Sequence, residues 1–178
     1  YAAARQAMLE RAKRLCVGVG NVRWILADIR LLRGRVPKGD ITICLKVITS
    51  PSASARAKLL RGVWDVTKSS GEALVVVPSL ESAIEVARGA GERLQCGGSG
   101  HWKDESGIVV RDGAAQKFFR REELREVMRQ AGFDGCRIHR AWYALSEEFA
   151  GGRGTAGKAD FLPWDWLVVA RKKRRSGR

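Results

Sequence analysis

Apolar and polar positions follow two rhythms along this chain. Residues 72–79, Glu-Ala-Leu-Val-Val-Val-Pro-Ser, form an apolar run of strand length, entered through Ser69-Ser70-Gly71 and closed near Pro78. Residues 21–28, 40–47, 136–143 and 163–172 read as further strands. Helical spacing separates them. Ala53, Ala57, Leu60 and Trp64 recur at helical intervals behind Ser50-Pro51-Ser52, where Pro51 suits a first turn. Residues 2–15 and 81–94 read as helices too, and an amphipathic stretch after Phe119 is a helix that Gly132 ends. In the strand that follows, alternation sets Cys136, Ile138, Arg140 and Trp142 on one face and Arg137, His139, Ala141 and Tyr143 on the other. Helix alternating with strand predicts an α/β domain built on an open, mostly parallel sheet.

Two glycine-rich stretches interrupt this order, at 95–112 and 149–158, and residues 108–113 read as a strand meeting a turn, half of a small hairpin. There is no internal repeat and no domain boundary. In open parallel sheets ligands bind beyond the carboxyl ends of the strands, and both loops are placed to fold over that edge. His101, Trp102, Tyr143, Glu147 and Glu148 are the chemically capable residues there, although exposed carboxylates are ordinary.

The run from Phe118-Phe119 through Arg121-Glu122-Glu123-Leu124 to Ala131-Gly132-Phe133 resembles the closing segment of class I methyltransferases that use S-adenosylmethionine. The upstream strands then resemble that family's strands in order. Residues 21–28 match the third, 40–47 the fourth, 72–79 the fifth, 136–143 the sixth and 163–172 the seventh, which runs against its neighbours. The resemblance implies a Rossmann-like fold and S-adenosylmethionine as cofactor. It implies that Asp28 accepts from the adenine amino group, that Ile29 covers the ring, and that Lys46 and Val47 line the methionine part.

The family's glycine loop, in which backbone N–H groups at a helix start approach the cofactor, has no counterpart here. Gly18-Val19-Gly20 follows a helix and precedes a strand, the reverse of the required order, and reads as a helix stop. The expectation is therefore a fragment: residues 1–172 as a partial methyltransferase domain without the first and second strands, inactive as it stands, and 173–178 as a basic tail. With the family's strand order 3-2-1-4-5-7-6, that leaves a gap of three strand spacings, roughly 14 Å, beside the fourth strand. Residues 21–28 should then be either unpaired or paired directly with 40–47, while the remaining four strands stay contiguous.

Composition adds limits. The 178 residues suit one domain, and the net charge of +14 includes six positive charges from residues 171–178. Such a tail suggests nuclear import or RNA anchoring, with a solvated tail as the plainer alternative. No stretch approaches the roughly 20 apolar residues of a membrane span, and no signal-peptide pattern opens the chain. A cytoplasmic setting is expected, or a nuclear one. Cys16, Cys44, Cys96 and Cys136 lack the spacing of a zinc site and read as thiols of a reducing compartment.

Methyl transfer is an in-line displacement in which alignment supplies most of the acceleration, so few protein groups are needed. His139 has the chemistry of a base, but its strand position between Arg137 and Arg140 suits an outward or core histidine, and no catalytic base is assigned. The expected activity is methyl transfer to a small molecule. The alternatives are an RNA-modifying enzyme using the basic tail, with salt-sensitive binding, and a non-catalytic doubly wound domain.

Overall fold

The computed structural model describes residues 2–89, 91, 106–111, 113–143 and 162–172, with side chains from Gln6 onward except that of Arg111. Cys96, His101, Trp102, Glu147, Glu148 and the tail at 173–178, all singled out above, lie outside the described residues. The elements are α1 (Ala2–Leu15), β1 (Gly39–Leu45), α2 (Ala53–Val66), β2 (Thr67–Pro78), α3 (Leu80–Gly89), β3 (Ile108–Arg111), β4 (Ala114–Lys117), α4 (Arg121–Gln130), β5 (Phe133–Trp142) and β6 (Trp164–Lys172).

Four strands form one sheet in the order β1-β2-β6-β5. β1 pairs in parallel with β2, and β6 runs antiparallel to both β2 and β5, so three strands point one way and β6 points back. This is the contiguous order expected for the fourth, fifth, seventh and sixth strands. β3 and β4 form a separate hairpin.

Local chemistry fixes the helices. Ser52 is the N-cap of α2, its hydroxyl accepting from the Ala55 N–H at 3.3 Å, so Pro51 lies before the helix and not in its first turn. At the other end α2 passes into β2 without a loop. The Thr67 hydroxyl donates to the Val63 carbonyl at 2.7 Å, and the buried Lys172 ammonium donates to the carbonyls of Trp64 and Thr67 at 2.6 and 2.7 Å. A cation on the last carbonyls complements the negative end of the helix dipole. α4 opens with the Arg120 N–H donating to Glu123, whose other oxygen pairs with the buried Lys117 at 2.6 Å. It stops at Gly132, whose φ of +94° suits glycine and where a Cβ would fall 2.9 Å from the Trp64 indole nitrogen.

The core lies on one face of the sheet. Val75, Val77, Val168 and Ala170 from the central strands meet Leu60 and Val63 of α2, Leu124 and Met128 of α4, and Phe119. On the opposite face Leu74, Val76, Leu167 and Val169 of the central strands are half-buried, and the open positions belong to the edge strand. Ile41, Ile43 and Leu45 of β1 are 62%, 63% and 60% exposed. A smaller cluster of Leu80, Ile84, Val109 and Phe118 packs α3 against the hairpin.

Three further expectations are corrected. Residues 21–28 are not a strand: they pair with no other strand among the described residues, and Asp28 leads into a single 3-10 turn, Ile29–Leu31. Apolar content gave the run strand character, but a strand is held by its ladder, and this segment has none. The Ser69-Ser70-Gly71 stretch is not an entry turn. It lies within β2 as an irregularity where Gly39 pairs with Thr67 and Ile41 already pairs with Glu72, with Ser70 at a φ of +67°. α3 ends at Gly89, before the expected 94. Residues 2–15 are helical as read, and Gly18, at a φ of +91°, lies in the turn just beyond the helix.

Candidate active site

β6 is antiparallel, so it begins at the edge where β1, β2 and β5 end. Side chains from strand ends far apart in sequence therefore converge there. β1 finishes at Leu45, and Lys46 takes a φ of +54°, a left-handed conformation uncommon for a residue with a Cβ and costing on the order of 1 kcal/mol. Its N–H still donates to the Val76 carbonyl at 2.9 Å, so the backbone stays fastened to β2 while the chain turns off the sheet. On the far side the Tyr143 N–H donates to the Pro163 carbonyl at 3.0 Å and ties the end of β5 to the approach of β6.

Asp165, the second residue of β6, sits between them and is only 6% exposed. Its carboxylate accepts from the Tyr143 hydroxyl in a short hydrogen bond and lies 3.3 Å from the Lys46 ammonium. The same ammonium stands 4.5 Å from the centre of the Tyr143 ring. Partial burial pulls the Lys46 ammonium down, but hydrogen bonding to Tyr143 and the charge of Asp165 outweigh it and hold it above the ordinary lysine value. The Tyr143 phenol is raised, first by burial and then by the hydrogen bond it gives Asp165, against the opposing pull of Lys46. At neutral pH the phenol therefore keeps its proton and the ammonium its charge.

Asp28 is placed differently. Its carboxylate accepts from the Arg30 N–H at 2.9 Å and from the Arg30 guanidinium at 2.5 to 3.0 Å, capping the 3-10 turn. That turn is seated on α2. The Ile29 carbonyl oxygen would lie 2.1 Å from a Cβ at position 62, which only Gly62 permits, and the Ile29 side chain packs against the core. Val47 is 43% exposed just past the end of β1.

No protein-family model matches the chain, and no curated protein matches it in sequence. Solved structures do match in fold. A SAM-dependent methyltransferase from Methanosarcina mazei superposes with a TM-score of 0.58 at 15% identity, over 93% of this chain and 76% of that one. A protein of Pyrococcus horikoshii gives 0.63 at 15% identity, over 94% and 68%. The 1,6-didemethyltoxoflavin-N1-methyltransferase of Burkholderia thailandensis, solved with 1,6-didemethyltoxoflavin and S-adenosylhomocysteine, gives 0.54 at 14% identity, over 92% and 56%. The chain has a class I methyltransferase-like fold.

Within this methyltransferase-like fold, Lys46 and Tyr143 of the residues read from sequence come together, and Asp165 joins them. Asp165 was not singled out by sequence. The available signal was a carboxylate set between Trp164 and Trp166 at the head of an apolar stretch, a setting where a charge requires partners. His139 lies exposed on β5 opposite Leu167, outside this cluster. A hollow of about 330 Å³ is lined by Glu81, Arg121, Glu122, Ile138, Arg140 and Trp166. It is bounded by residues of the packed face, such as Ile138 and Trp166, and Glu81 is engaged there by the Trp166 indole and the Arg121 N–H. The strand-end cluster gathers the more versatile chemistry.

Proposed function

We propose that the strand-end cluster belongs to an S-adenosylmethionine-dependent methyl-transfer site acting on a small molecule. The observation that carries this reading is the convergence of Lys46, Tyr143 and Asp165 at the ligand-binding edge of a methyltransferase-like sheet. The small-molecule acceptor is supported by likeness in fold to the Burkholderia enzyme.

The residues at the end of β1 fit such a cofactor. A lysine beside a sulfonium would repel it, but the Lys46 charge is neutralised by Asp165 at 3.3 Å. Val47 adds exposed apolar surface beside it. Asp28 and Ile29 would hold the adenine end, where an amino donor competes with Arg30 for the Asp28 oxygens. When bound, S-adenosylmethionine supplies an electrophilic methyl group. What the chain supplies is alignment: Lys46 and Val47 at the donor side, Tyr143 and Asp165 at the acceptor side.

A magnetic-resonance titration with S-adenosylhomocysteine tests this. Weak binding, with a dissociation constant on the order of 1 mM, is expected, with shifts concentrated at Asp28, Ile29, Lys46 and Val47. No shifts at millimolar ligand, or shifts confined to the hollow around Arg140, would overturn the reading.

A further inference from the structure

The hollow on the packed face holds groups that methyl transfer leaves unused. Its floor is the buried Ile138 and Trp166, and its rim is the exposed Arg121, Glu122 and Arg140, with Glu81 beside Trp166. Arg140 pairs with Trp166 across β5 and β6, whereas Asp165, set between Trp164 and Trp166, alternates to the other face. The sheet therefore separates this hollow from the cluster of Lys46, Tyr143 and Asp165.

Exposed arginines without a carboxylate are ordinary on so basic a chain, and Arg121 is one of them. Arg140 differs because it is held. Its guanidinium lies 4.4 Å from the centre of the Trp164 ring and 5.5 Å from that of Trp142. Stacking occupies the flat face of a guanidinium and leaves its N–H edge free, and that edge grips a planar carboxylate through two parallel hydrogen bonds.

Nothing near it takes those donors. Among the described residues neither Arg121 nor Arg140 forms an ion pair. The Glu81 oxygens already accept from the Arg121 N–H at 3.0 Å and from the Ser79 hydroxyl and the Trp166 indole at 3.2 Å each. Glu122 lies in the first turn of α4, where the positive end of the helix stabilises a carboxylate without a further partner. The buried indole N–H of Trp164, under the Arg140 guanidinium, also lacks an acceptor. This corner is short of acceptors and has an apolar floor.

We infer that the hollow binds a small monoanionic carboxylate with a flat apolar body, its carboxylate on the edge of Arg140 and its body over Ile138 and Trp166. Charge selects the monoanion. Two carboxylates and two guanidiniums cancel around the lining, so a dianion such as phosphate meets no net positive field. A carboxylate with an apolar body gains instead from the planar fork and from the floor it covers. The volume of about 330 Å³ agrees, lying at the lower end of the roughly 300–1,000 Å³ of small-molecule sites.

The probe is benzoate, titrated into the nitrogen-15-labelled chain and followed by magnetic resonance. Saturable shifts are expected at Ile138, Arg140 and the indole N–H signals of Trp164 and Trp166, with a dissociation constant on the order of 1 mM. Benzamide, which keeps the shape without the charge, and inorganic phosphate should each bind at least about tenfold more weakly. Arg140→Gln should remove the shifts, and Arg140→Lys, which keeps the charge but not the fork, should weaken binding roughly five- to tenfold. Arg137→Gln, on the other face of the same strand, should leave it unchanged. Dispersed spectra of the unliganded variants check folding, and the comparison with benzamide needs no variant.

Equal binding of benzamide, tighter binding of phosphate, shifts spread over the surface arginines without saturation, or full affinity in Arg140→Gln would each overturn the site. S-adenosylhomocysteine, titrated separately, reads the other face of the sheet. Its failure to bind would leave the carboxylate site standing, and a failure of benzoate would leave the methyl-transfer reading standing.

Discussion

The two faces of the sheet are made from the same four strands and have opposite fates. On one, Val75, Val77, Val168 and Ala170 are at most 1% exposed beneath α2 and α4. On the other, Ile41, Ile43 and Leu45 of β1 stay more than half exposed although they are as apolar as their sealed neighbours. Because side chains alternate, one residue of offset separates the buried Cys44 from the open Ile43. Burial therefore follows where the helices lie, and hydropathy alone does not decide it. The hydrophobic stabilisation of this unit comes mainly from one side.

This contrast is easily put under load. Phe119 sits in the sealed core, 1% exposed, so Phe119→Ala should cost about 3–5 kcal/mol in a urea titration. A loss below about 1 kcal/mol would mean that this side is less tightly packed than described.

A second measure uses Cys44, the β1 residue that points into the sealed side between Ile43 and Leu45. Burial pushes its thiol up to about 11 from 9.0. The unfolded chain releases this proton first, so the folded state binds more protons between those values and stability falls as pH rises through them. The loss should reach about 2–3 kcal/mol and disappear in Cys44→Ala, as read from chemical denaturation across that range. Lys46 and Tyr143, whose folded values are also raised, act with the same sign at the alkaline end.

The smallest effect belongs to the open side. Ile43→Thr should change stability by no more than about 0.5 kcal/mol. A loss comparable to that of Phe119→Ala would show that something covers Ile43 in solution.

What could be read in advance follows the same line. Runs such as 72–79 and 163–172 declared themselves because each central strand carries an unbroken apolar stretch, 73–77 in one and 166–170 in the other. The alternation assigned to β5 holds, with Ile138 inward and His139 outward. Residues 21–28 misled because apolar content signals burial potential, whereas a strand also requires a neighbour with free backbone groups. Ser69-Ser70-Gly71 misled because turn residues serve equally well in a bulge. At the site, Lys46 and Tyr143 were visible as residues, but their meeting was not. It depends on β6 running backwards and bringing Asp165 beside residues 119 and 22 positions away in sequence, which no local pattern encodes.

Lys172 carries a consequence for how the chain reaches this structure. Its ammonium covers the last carbonyls of α2 from a position 108 residues downstream of Trp64. Those carbonyls cannot gain that partner until β6 has docked, so the end of α2 matures only when that strand arrives. Sequence-distant contacts of this kind raise contact order and slow folding. During synthesis, the α2–β2 junction must wait until β6 has emerged, and a chain cut short before Lys172 would leave that joint unfinished.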